Sequence, residues 1–219
     1  MLETRVRFAL EHFLKAQYFS DPACSYELEE LEDTGKSVLT LQVGTTDNLC
    51  RTNFDDEKWR PRFSFIKTDK IDGMDKCVDH FILKKSAEHW ELHMFEMKTT
   101  VGLRTWHDIR HKMRASYLKI RALAVFLGIE LSDDNIFAYT TYEKADLSIR
   151  NTTNPRAFFP LLGEFALNVE QDEWLAGCIN LPMATDESTG RYERFVKIRH
   201  QSIKMERTDD NFLTGKFTI

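Results

Sequence analysis

The 219-residue sequence has no apolar run long enough to span a bilayer; its longest, Ala122 to Ile129, falls far short of the roughly 20 residues required. The opening Met-Leu-Glu-Thr-Arg leads straight into a charged amphipathic pattern without the apolar core of a secretory leader, so a cytoplasmic protein is expected. Cysteine is sparse. Cys24, Cys50, Cys77 and Cys178 lie far apart with no C-x-x-C pair, which excludes a disulfide framework and a structural zinc knuckle. No Gly-rich phosphate loop appears, which argues against an NTPase, and no nucleophile elbow or papain-type signature is present. Internal repeats and low-complexity tracts are also missing. Positive charge is not in excess either: 30 Lys and Arg against 35 Asp and Glu leave a net charge of −5. Binding nucleic acid by bulk charge is thereby ruled out, though a local basic stripe is not.

What is present is ordinary globular material, 42% hydrophobic and 30% charged, with 16 Phe, 4 Trp and 6 Tyr for a core. Val6, Ala9, Leu10, Phe13, Leu14 and Gln17 recur at helical spacing and predict a helix over 3–19, stopped by Asp21-Pro22. After the acidic stretch Glu27 to Asp33, Ser37 to Val43 reads as a strand ending at Gly44. Residues 45–76 read as loop, with Phe63, Phe65 and Ile66 a candidate short strand. Cys77 to Leu83 and Trp90 to Lys98 then form an expected β-hairpin around the polar Lys84 to His89. A long helix follows over Trp106 to Leu127, ended by Gly128, and then a strand over Asn135 to Thr141. The order is α-β-β-β-α-β across residues 1–149. Residues 150–219 are expected as a C-terminal extension packed on that core, with an aromatic segment (Phe158, Phe159, Phe165) and a hairpin from Arg191 to Arg207.

The chemistry concentrates on the central hairpin. Glu96 and Lys98 are two apart on a strand and leave the same face as Trp90, Leu92 and Met94. In an antiparallel pair, partner numbers add to a constant, and an odd total of 175 or 177 puts Asp79 on that face too. An even total would separate it. A Glu-x-Lys pair is ordinarily a solvated face with a weak ion pair. Here it ends a core-facing row, where buried charge needs partners or a metal. Two carboxylates and one ammonium suit a hard divalent cation and phosphodiester hydrolysis, with Asp79 and Glu96 as oxygen ligands and Lys98 orienting water.

The run Lys-Cys-Val-Asp79-His-Phe-Ile-Leu, a short turn, then His-Met-Phe-Glu96-Met-Lys98-Thr-Thr resembles the PD-(D/E)xK, or restriction-endonuclease-like, nuclease superfamily. The element order of residues 3–141 is similar to that family's α/β core, a mixed sheet flanked by helices. Val78 stands where the family usually has proline. The resemblance implies a Mg²⁺-dependent nuclease, with Mn²⁺ as substitute. Asp79, Glu96 and the Met97 carbonyl would hold the metal, and Asp79, Glu96 and Lys98 would carry catalysis. It also implies an additional acid on the first helix, for which Glu3, near the edge of the Val6–Leu10–Phe13 stripe, is a better candidate than Glu11.

The helix after the motif carries Arg104, Arg110, Lys112, Arg114, Lys119 and Arg121 against one acid, Asp108. A phosphate-backbone groove needs such local basicity. Arg110, Lys112, Arg114 and Lys119 are therefore expected to contact nucleic acid, and the resemblance implies a polar residue from this helix at the active site, for which Lys112 is the candidate. A second basic run, Arg191 to Arg207, is a further candidate wall. His107-x3-His111 lacks the H-E-x-x-H glutamate and a third ligand, and reads as solvated or phosphate-facing rather than zinc-binding. The expected partner is DNA. RNA, self-association of the chain, and a catalytically inactive nuclease-fold module that binds nucleic acid or a protein stay open at this level.

Overall fold

The computed structural model describes residues 3–15, 17–31, 37–57, 74–147, 173–185 and 192–219. It is an α/β protein with mixed sheets flanked by helices. In chain order the elements are α1 (Thr4–His12), β1 (Ser25–Leu31), β2 (Val38–Gly44), β3 (Asn48–Arg51), β4 (His80–Ser86), β5 (His89–Met97) and β6 (Thr100–Gly102). The long α2 (Leu103–Leu127) follows, then β7 (Ile136–Tyr142), β8 (Lys144–Asp146), β9 (Cys178–Thr185), β10 (Tyr192–Lys204), β11 (Glu206–Asp209) and β12 (Phe212–Thr218). A six-stranded sheet runs β3-β4-β5-β7-β10-β9, and a four-stranded sheet runs β1-β2-β12-β11.

Period-2 patterning on the central strands explains the layering. Phe81, Leu83, Trp90, Leu92 and Met94 face α2 and α1, where Trp106, Ile109, Met113, Ile120 and Val6 complete one core. Ile82, Phe95, Met97 and Tyr139 face the other way, onto Leu28, Leu39, Leu41 and Val43 of the small sheet. Both faces of the hairpin are thus buried, and no position of Phe81 to Leu83 on β4 or of Leu92 to Met97 on β5 is exposed. α2 ends where Gly128 takes a left-handed conformation (φ 72°) and its N–H bonds the Ala124 and Val125 carbonyls. No described helix is long and apolar enough to cross a membrane.

Several expectations are corrected. The first helix stops at His12, because the chain beyond it is diverted to β3: Arg51 bonds the Tyr18 carbonyl (2.8 Å) and Ser20 N–H bonds the Cys50 carbonyl (2.8 Å). The strand expected at 37–43 exists as β2 but belongs to the small sheet, pairing β1 and β12. The first strand of the large sheet is β3, four residues long and too short to show periodicity. Arg191 to Arg207 is not a hairpin. Residues 192–204 form one strand, parallel to β7 and antiparallel to β9, and nothing in that run favours a turn. Consequently the C-terminal residues add strands to both sheets rather than a layer upon a finished core. The Phe63–Ile66 strand and the Phe158–Phe165 segment lie outside the described residues.

Two core histidines make the fold sensitive to acid. His93 stacks on Phe137 (4.9 Å between centroids) with Nδ1 3.0 Å from the Tyr139 hydroxyl, and His200 sits between Trp106 and Trp174 with Nε2 3.0 Å from Thr140 Oγ1. Burial pushes both down to about 4, in His93 against the pull of Glu91. Between pH 6.5 and 4 the unfolded chain therefore binds protons that the folded chain refuses, and stability falls as pH drops through that window. Urea midpoints from pH 7 to 4.5 should decline with a slope of up to about 1.4 kcal/mol per pH unit for each histidine. His200→Gln should flatten the decline, and an unchanged slope would show that His200 is not held neutral.

Candidate active site at the end of the central hairpin

The β4–β5 register decides the site. His80 faces Phe95, so partner numbers add to 175 and Asp79, just before β4, stands opposite Glu96. Asp79 Oδ2 accepts the Met97 N–H at 2.6 Å, which ties the two strand ends together. Ser116 Oγ of α2 accepts the Val78 N–H (2.8 Å), and the Asp79 carbonyl accepts the Phe54 N–H (2.7 Å). The aspartate is therefore held from the helix on one side and from the chain leaving β3 on the other.

Asp79 and Glu96 are both 0% exposed. Two ammonium groups offset their charge. Lys98 Nζ lies 2.8 Å from Glu96 Oε1, 3.8 Å from Asp79 Oδ2 and 2.8 Å from the Met97 carbonyl. Lys112 Nζ reaches down from α2 to Glu96 Oε1 (2.6 Å) and Asp79 Oδ1 (3.4 Å). Burial disfavours charge on both lysines, but Glu96 and then Asp79 more than offset it and raise both pKa values above the usual lysine range. Both are proton donors at neutral pH. Glu96 Oε2, in contrast, is buried with no hydrogen-bond partner.

Glu96, Met97, Lys98 and Lys112 line a cleft of about 460 Å³. One wall is the small sheet, through Glu30, Leu31 and Leu39; the other is the start of α2, through Arg104, Thr105, Asp108 and Lys112. Asp55 and Lys76 also line it. Carboxylate oxygens of Glu30, Asp55 and Asp79 lie within 4.8 Å of one another. Burial pushes Glu30 up to about 8, and the charges of Asp79 and Asp55 add to the effect.

Asp79, Glu96, Met97, Lys98 and Lys112 thus converge, whereas the remaining expected residues do not. Glu3 pairs with Lys85 near the hairpin turn, six residues along β4 from Asp79, or roughly 20 Å of extended chain. Arg110 is buried against Glu173 (Nε to Oε2 3.1 Å) and the Asn180 carbonyl (3.1 Å). Lys119, 3% exposed, holds the Lys76 carbonyl and Cys77 Sγ. Neither faces the cleft, because α2 is buried against the sheet on one side and against Glu173 and β9 on another. Arg114, half-buried, is absent from the cleft lining as well. His107 and His111 face each other (Nε2 to Nε2 3.1 Å), with His111 buried and pushed down to about 3 by burial and by His107. They are not part of any larger metal-ligating group among the described residues. Sequence reasoning missed Glu30 and Asp55. The acidic stretch 27–33 was visible, but only the second sheet brings Glu30 to Asp79.

No family model matches the chain, and neither curated proteins nor solved structures show a match.

Removing one member of the buried cluster should cost stability even where function is not assayed. Lys112→Met leaves two buried carboxylates with Lys98 alone, and should lower unfolding free energy by about 2 kcal/mol, below the 3–5 typical of a fully buried pair because Lys112 keeps some solvent contact. The urea midpoint measures it. An unchanged midpoint would mean that Lys112 does not carry the Glu96 charge.

Proposed function

We propose that the chain is a metal-dependent nuclease of the PD-(D/E)xK type, hydrolysing phosphodiester bonds with DNA as the preferred substrate. The observation that carries this reading is the convergence of Asp79, Glu96, the Met97 carbonyl and Lys98 at one strand end, with Glu96 Oε2 buried and without a hydrogen-bond partner. The order α1, β3, β4, β5, α2, β7, with β3–β4–β5 antiparallel and β7 parallel to β5, supports a restriction-endonuclease-like core, with β3 in the place expected for the strand at 37–43.

The donor set fits Mg²⁺ or Mn²⁺: two carboxylates and a main-chain carbonyl are hard oxygen ligands, and no cysteine or histidine is among the described residues lining the cleft. Asp79, Glu96 and the Met97 carbonyl would hold the ion. When bound, it supplies an acidified water and neutralises charge on a phosphoryl oxygen.

The chain's own groups do the rest. Lys98 is held as an ammonium by Glu96 and Asp79, so it donates hydrogen bonds rather than removing a proton. Its part is to orient the attacking water and to stabilise negative charge as it develops on the phosphate. Lys112 holds both carboxylates in place while its own charge stays paired. Arg104, exposed at the first turn of α2, and Lys76 present positive charge along the cleft and take over the phosphate contacts expected of Arg110 and Lys119.

The test is incubation of circular and linear DNA, and of RNA, with Mg²⁺, Mn²⁺ or EDTA. Cleavage should need metal and fall on the order of 10²-fold or more in Glu96→Ala and in Lys98→Ala. Full metal-dependent cleavage by Glu96→Ala would overturn the assignment. Metal binding without cleavage of any substrate would instead identify a nuclease-fold binding module.

A further inference from the structure

We infer that the cleft takes its substrate as an unpaired strand, so that the chain cuts single-stranded nucleic acid and single-stranded tails in preference to intact duplex. The inference rests on the nuclease reading of the site. The chemistry there lies well below the surface. Asp79 and Glu96 are 0% exposed and are approached past Lys98 and Lys112, whose side chains are 27% and 22% exposed. A phosphate oxygen has to come within about 2 Å of an ion held by those carboxylates. The scissile phosphate must therefore descend between the walls of the cleft, and cannot rest on its rim.

Both walls are fixed layers of the fold. β1 and β2 bring Leu31 and Leu39 to one side, and the first turns of α2 bring Arg104 and Asp108 to the other. The small-sheet wall stands close over the floor, with carboxylate oxygens of Glu30, Asp55 and Asp79 within 4.8 Å of one another. A volume of about 460 Å³ falls toward the lower end of the roughly 300–1,000 Å³ that houses one small ligand. That is room for about one nucleotide at a time, whereas a base pair brings a second strand down with the first.

Charge points the same way. Among the described lining residues the cations are Lys76, Lys98, Arg104 and Lys112. Lys98 and Lys112 are engaged by Asp79 and Glu96, and Lys76 by Asp108 at 3.1 Å. Arg104 is left without an acidic partner among the described residues, on a lining that also carries Glu30 and Asp55. Duplex DNA presents a charge about every 1.7 Å of its axis, and a protein that grips it contacts on the order of 6–10 phosphates. This lining does not offer that many cations. Glu27 and Glu29, exposed on β1, further repel a second phosphate backbone laid over the small-sheet wall.

Leu31 adds an attraction that only an unpaired base can use fully. It is 60% exposed at the end of β1 and lines the cleft. In a duplex the bases are stacked and show their edges, whereas an unpaired base has a free face that packs on an apolar side chain. An unpaired strand also avoids the cost of separating and unstacking bases before the phosphate descends.

The test digests one labelled sequence in three forms, as a single strand, as a blunt duplex and as a duplex with a single-stranded tail, using the full chain in Mg²⁺ or Mn²⁺. The single strand should be cut with a kcat/KM at least about tenfold above that of the blunt duplex, and the tailed duplex should lose its tail and stop at the junction. Leu31→Ser, at an exposed position, should raise KM for the single strand about threefold or more, with kcat and Mn²⁺ binding as in wild type. A blunt duplex cut as fast as the single strand would overturn the inference and leave the nuclease standing. Metal-dependent cleavage of none of the three forms would overturn the nuclease reading, and the inference with it.

Discussion

Two carboxylates buried at one strand end set the terms for everything around them. Isolated charges in so dry a place would cost several kcal/mol each. Asp79 and Glu96 are tolerated because each surrounding layer contributes something that offsets the cost. The hairpin supplies the Met97 N–H and the Lys98 ammonium, and α2 supplies Lys112. The chain entering β4 is itself pinned, by Ser116 on one side and by Phe54 on the other. Replacing such a cluster with apolar side chains is often neutral or stabilising. Its presence is therefore better explained by chemistry than by stability.

The two cores make that placement rigid. Alternate residues of β4 and β5 go to opposite layers, so a one-residue slip of the hairpin would exchange both sets at once and send Glu96 toward the small sheet. Register at Asp79 and Glu96 is thus enforced by Phe81, Leu83, Leu92 and Met94 on one face and by Ile82 and Phe95 on the other. A doubly buried hairpin is a stiffer mount than a hairpin with one wet face. It also leaves the cleft at the strand ends as the side from which the carboxylates are approached, past the partly exposed Lys98 and Lys112.

Legibility in the sequence followed the reach of each signal. Local signals survived: Gly128 ends α2, a turn within 84–89, between Ser86 and His89, closes the hairpin, and Asp79 stands opposite Glu96 in an odd register. Signals that needed a partner did not. Ser37 to Val43 reads as a strand whichever sheet receives it, and its pairing with β12, more than 170 residues away, has no local trace. β3 is too short for periodicity and is recruited by β4 rather than by its own pattern. Glu30 sat in a recognised acidic stretch, yet nothing in that stretch distinguishes the glutamate that meets Asp79 from Glu27 or Glu29, which stay exposed.

The basic helix shows why counting charge along a chain misleads about partners. Six cations against one acid on α2 invited a phosphate groove, but a 25-residue helix lying on a sheet turns much of its circumference inward. Arg110 and Lys119 are long enough to carry their charges to partners inside the protein: Glu173 and a main-chain carbonyl for the one, a carbonyl and a thiol for the other. Lys112 points inward too, and its partners are Asp79 and Glu96. The same helical periodicity that hides two cations delivers the third, and places Arg104, two turns earlier, at the cleft mouth. For a chain of net charge −5, cations that meet a polyanion have to be concentrated by geometry rather than number. Of the six cations on α2, only Arg104 and Lys112 line the cleft, and Lys112 is already paired with Asp79 and Glu96.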